Sequence, residues 1–157
     1  MIHRLKSITP IDNHILLIVF QNGVEKTYDV RQLYPLFPQM QVFEEDHELF
    51  NQVRIEVGED GIVWNDDLDF NSEDLWYEGI PTGVVHDVDI KDSLGFNLTE
   101  ARASVEMYQG DLAKASGVYQ GDISDIERGK ANPTIKTLSR LAEGMGMRLN
   151  IEFIPKK

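Results

Sequence analysis

The 157-residue sequence contains no cysteine. That excludes disulfides, thiolate nucleophiles and zinc sites built on cysteine. It also lacks any apolar run long enough to span a bilayer, and no basic leader with an apolar stretch opens it. A cytoplasmic protein without membrane contact is therefore expected. Histidine is sparse: His3, His14, His47 and His86 stand at no short ligand spacing, so each is expected to be an ordinary surface or half-buried residue. No metal and no other cofactor is expected. No serine lies in a nucleophile-elbow sequence, and no enzyme is expected. Positive charge is scarce as well, with 15 Lys and Arg against 27 Asp and Glu and a net charge of -12. That deficit argues against strong non-specific attraction to nucleic acid, which phosphate contacts normally supply.

The deficit is unevenly spread. Residues 98–157 hold 9 Lys and Arg against 8 Asp and Glu, or +1, and residues 1–97 hold 6 against 19, or -13. Two units are expected: an acidic α+β domain over 1–80, a linker over 81–96 rich in glycine, proline and charge, in which Val84 to Ile90 alternates like a strand that could pack onto either domain, and a helical domain over 97–157. In the first, His14 to Gln21 reads as a buried strand, and Asn22-Gly23 is a strong hairpin signal returning into Val24 to Val30. A strand within Arg4 to Ile11 precedes it. Short helices are expected over Val30 to Leu36, closed by Pro38, and over Glu44 to Gln52. Arg54 to Val57 and Ile62 to Asn65 pair around Glu59-Asp60-Gly61. The acidic run that follows reads as a solvated loop, with Leu68, Phe70, Leu75 and Trp76 packing onto the sheet. Asp67, Asp69, Asn71 and Glu78 match four calcium-loop positions, but Ser72 stands where that loop requires glycine, so calcium is not expected.

The richest stretch is Met107 to Pro133. A helix-length segment from Gln109 to Ser116 ends at Gly117, and a second runs from about Gln120 to Arg128. Helix, tight corner, helix is an arrangement that places the second helix in a DNA major groove. Gly117 permits the left-handed backbone such a corner needs, and Ala113 lets the helices cross closely. Asn97 with Glu100 suggests the start of a preceding helix. Thr134 caps a following one whose apolar positions are Ile135, Leu138, Leu141, Ala142 and Met145. Met147 to Ile154 then alternates as a strand.

These spaced features resemble the phage-repressor and Cro-like (XRE-type, lambda-repressor-like) helix-turn-helix family over residues 97–150. The resemblance implies a DNA-binding transcription regulator, a repressor by expectation, that binds double-stranded DNA as a homodimer. It implies Gln109 at a phosphate and Gln120 at a base, where an amide can pair with adenine. Tyr119, Gly121 and Asp125 fall at recognition positions, Ser124, Lys130 and Asn132 at backbone-contact positions, and Arg102 with Glu127 at a structural ion pair. Gly121 offers no side chain, and Asp122 and Asp125 bring carboxylates onto the recognition helix, so weak non-specific binding is expected. Residues 1–80, with Trp64 and the ending DLDFNSEDLWYEG, resemble a small bacterial α+β family of unknown function. Some members of that family look like partners in toxin–antitoxin pairs. The alternative function is accordingly an antitoxin-like interaction module whose acidic domain binds a basic protein. A third possibility is a helical core that reads nothing, with Gln120 idle.

Overall fold

The computed structural model of the protein describes residues 3–155. Strands β1 (Leu5–Pro10), β2 (Ile15–Phe20) and β3 (Val24–Asp29) form an antiparallel meander, and β7 (Ile80–Val85) joins the far edge of β3, giving the order β1-β2-β3-β7. The hairpin between β2 and β3 turns at Asn22-Gly23, where Gly23 has φ +87°. A Cβ there would lie 2.2 Å from the carbonyl oxygen of His86, so conformation and space both require glycine. A second antiparallel sheet, β4 (Arg54–Ile55), β5 (Gly61–Asn65) and β6 (Leu68–Asn71), lies in the same unit. Phe43, Phe50 and Trp64 pack together at its core, and the Trp64 indole N–H donates to the Phe50 carbonyl at 3.0 Å.

Several expectations are corrected here. The acidic run is not a loop: it forms β6 and then helix α2 (Ser72–Glu78). Leu68 and Phe70 turn inward while Asp69 and Asn71 face water, a two-residue alternation obscured by the density of acidic residues. Asn71 serves as the helix cap, its side-chain oxygen accepting from the Asp74 N–H at 2.9 Å. Pro38 does not close a helix but opens a 3-10 segment over Pro38–Glu44, since its missing N–H costs nothing in a first turn. The helix expected over Glu44 to Gln52 contracts to one turn, α1 (His47–Phe50), capped by Asp46.

The largest departure concerns the linker. Residues 81–85 belong to β7, and helix α3 (Ile90–Ser104) starts at an Asp89 cap, two turns before Asn97. Its first half packs on the N-terminal unit. Phe96 is buried there, with ring centroids 4.9 Å from Trp76 and 5.2 Å from His3. His3 is no surface residue: it is 0% exposed, stacks on Trp76, and presents one ring nitrogen to Glu73 and the other to Glu100. The second half of α3 turns Leu98 into a separate core with Leu112, Val118, Ile123, Ile126 and Leu141. One helix thus belongs to both cores.

Helices α4 (Gln109–Ser116), α5 (Gln120–Glu127) and α6 (Ile135–Gly144) complete the chain's helical part. Gly117 holds the corner at φ +72°, and its carbonyl accepts from Arg140 at 2.9 Å. Thr134 caps α6 as its position implies. Ile135, expected in the apolar stripe, is 67% exposed, because the first residue of α6 lies beyond the edge of the core. The expected C-terminal strand is not formed: residues 147–155 are irregular, and Ile151, Phe153 and Ile154 are exposed. Alternation specifies a strand only where an edge is available to pair with it.

Candidate nucleic-acid interface

The geometry of the helical corner is set by one buried ion pair. Arg102 on α3 donates through Nε to Glu127 Oε1 at 2.7 Å and through Nη2 to Oε2 at 3.1 Å, and its Nη1 donates to the Met107 carbonyl at 2.8 Å. That one guanidinium ties α3, the end of α5 and the entry to α4. Close approach of α3 and α5 also depends on Gly95, where a Cβ would lie 2.5 Å from the Glu127 carbonyl oxygen.

Gln109 opens α4 and is half-buried. Its amide donates to Glu127 Oε2 at 2.8 Å, which fixes the side chain and leaves the second amide N–H available. Tyr108, the residue before it, contributes its backbone N–H to Asp111 Oδ2 at 2.9 Å while its ring is exposed. Gln120 stands opposite: a Cβ on Gly110 would lie 3.6 Å from the Gln120 side-chain oxygen. The Gln120 amide therefore lies within van der Waals reach of the start of α4.

On α5 the expected recognition residues separate into two flanks. Gln120, Ser124 and Arg128 recur every four residues and line a groove of about 430 Å³ with Tyr108, Gln109 and Arg102. Asp122 and Asp125 line the opposite flank with Asn132 and Thr134. Tyr119 is 83% exposed at the helix start, and Gly121 faces open space. Lys130 follows the left-handed Gly129 and is exposed, its backbone N–H bonded to the Asp125 carbonyl. The first turn of α5 thus presents uncovered side chains and the positive end of its helix dipole to solvent.

Comparison with known proteins meets this geometry at the same residues. The helix-turn-helix profile matches residues 98–151. The "Uncharacterized HTH-type transcriptional regulator y4dJ" of Sinorhizobium fredii is 33% identical over 60 residues, which span 38% of this chain and 78% of that protein. The chain belongs to the helix-turn-helix family. The "ImmF control region 10 kDa protein" of Bacillus phage phi105 is 38% identical over 58 residues, spanning 37% of this chain and 64% of its own length. Residues 5–81 match a different family, described as a protein of unknown function (DUF2442). A solved structure from Nitrosomonas europaea covers 98% of this chain and 94% of its own at 14% identity and a TM-score of 0.41, too distant a likeness to argue from.

Two arginines of the groove, Arg4 and Arg128, lie outside the expected set. Arg128 carries a signal in the sequence, the four-residue spacing from Gln120 through Ser124. Arg4 carries none. It comes from the opposite end of the chain, just before β1, yet lines the same groove.

Proposed function

We propose that this protein is a sequence-specific, DNA-binding transcription regulator that reads the major groove with the start of α5 and acts as a repressor. Membership in the helix-turn-helix family and the regulatory names of its relatives support the regulator class. The observation that carries the groove reading is the joint exposure of Tyr119, Gln120 and Gly121 next to the first turn of α4. Two helix N-termini beside one another offer backbone N–H groups to phosphate while the Gln120 amide reaches a base edge. In this reading the exposed apolar tail, with Ile151, Phe153 and Ile154, pairs two copies. A two-fold dimer then sets its α5 helices roughly 34 Å apart.

Selection from random duplex DNA at low salt, using the full chain, tests the proposal. An inverted repeat with half-sites one turn apart is the expected product. Enrichment of nothing, with the protein folded, overturns it. On the selected site, Gln120→Ala is expected to weaken binding by about 1–3 kcal/mol with the melting temperature unchanged. Equal affinity of the variant removes Gln120 from base reading. Asp125→Asn is expected to raise affinity for all duplexes, because its carboxylate repels phosphate. A loss confined to cytosine-containing sites would instead assign it a base contact. Repression is tested by placing the selected site across a promoter and measuring transcript with and without the protein.

A further inference from the structure

The protein is poor in cations, yet three of them gather where the two units meet. Arg4 and Arg128 line the groove that holds Gln109 and Gln120, and Arg4, Arg128 and Lys130 line an adjoining depression. Among the described residues, none of these three has a carboxylate within salt-bridge distance. Arg4 is held in place from several sides. Its Nη1 donates to the Gly58 carbonyl at 2.8 Å, and the following Leu5 N–H donates to the Glu59 carbonyl at 2.8 Å. The preceding His3 is buried between Glu73 of α2 and Glu100 of α3, so the residue before Arg4 is anchored to the helical unit through its side chain. Only one N–H of the guanidinium is used by Gly58, and the rest of the fork remains available.

We propose that Arg4, a residue of the N-terminal unit, completes the DNA interface by gripping a backbone phosphate in the groove it shares with Gln109, Gln120 and Arg128. The planar fork of arginine suits a phosphate, and a half-buried, pre-positioned fork loses little freedom on binding. The contact positions the protein without reading sequence. The acidic loop beside it sets the boundary of the site: Glu59 and Asp60 flank the adjoining depression and repel phosphate there, so the bound phosphate lies on the Gln109 side. The N-terminal unit thereby both extends the helix-turn-helix footprint and limits it.

The inference rests on the DNA-binding reading above. Its test uses the full chain and the duplex selected by the wild type, with binding measured across a salt series. Arg4→Gln is expected to weaken binding by about tenfold near physiological salt, equally for matched and mismatched duplexes. The slope of log affinity against log salt should fall in magnitude by about 0.9, the value of one lost phosphate contact. Glu59→Gln is expected to strengthen binding. Unchanged affinity and slope in Arg4→Gln overturn the inference while leaving the DNA-binding reading intact. Weakened binding with an unchanged slope also overturns it, because the loss then comes from the Gly58 anchor alone. Should Arg4→Gln fail to fold, Glu59→Gln carries the test, and unchanged affinity in that variant overturns it. If the wild type selects no duplex, the DNA-binding reading fails and takes this inference with it.

Discussion

Glu127→Ala is expected to cost about 3–5 kcal/mol of stability, the loss typical of breaking a buried ion pair from one side. Arg102 and Glu127 are both buried, and three side-chain bonds converge on the Glu127 carboxylate region from Arg102 and Gln109. Alanine leaves the guanidinium without its counter-charge, in a site where, among the described residues, only the Met107 carbonyl still accepts from it. Urea denaturation followed by circular dichroism reads the effect, and a loss under about 1 kcal/mol would contradict the burial assigned to the pair. The double variant Arg102→Met with Glu127→Leu is expected to recover much of that stability, since apolar groups of similar volume need no partner. DNA binding should stay impaired in the double variant. Gln109 loses the carboxylate that orients its amide, so the pair's role in presenting α4 separates from its role in stability.

Phe96→Ala is expected to cost about 3–5 kcal/mol, and in the N-terminal unit rather than in the helical one. Phe96 lies on α3 but packs with Trp76, His3 and Phe20 in the first core. It falls between the two matched families, which end at residue 81 and begin at residue 98. Truncation opens a cavity in the aromatic seam and frees the first two turns of α3 from the sheet. Calorimetry should show one transition in the wild type and a lower or divided transition in the variant. Hydrogen exchange should quicken in β2 and α2 before α4 and α5. A variant within about 1 kcal/mol of the wild type would show that α3 belongs energetically to the helical unit alone.

Both predictions concern α3, the element least legible in the sequence. Asn97 with Glu100 has the form of a capping box, but Glu100 is directed at His3 and the real cap is Asp89. A local motif of that kind cannot reveal a partner 97 residues away. His3 is similar: spacing from other histidines says nothing, because its neighbours are Glu73 and Trp76 of α2 and Glu100 of α3, brought in from two distant places. The acidic run at 65–79 is hard to read for a different reason. Leu68 and Phe70 form part of a sheet instead of packing onto one, and charge density masks the alternation that makes β6.

The helical corner was determined by local chemistry. Gly117, the Thr134 cap and the apolar positions of α4 and α5 each have a spacing that leaves little freedom. The hairpin at Asn22-Gly23 was determined in the same way, by a turn that needs positive φ. Only the tertiary structure decided that residues 81–85 are strand and 90–96 helix, that one helix serves two cores, and that Arg4 stands in the groove beside Gln109. Turns and caps are written in neighbouring residues and their dihedral preferences. The docking of two units is written in the fit of surfaces, and no local pattern encodes it.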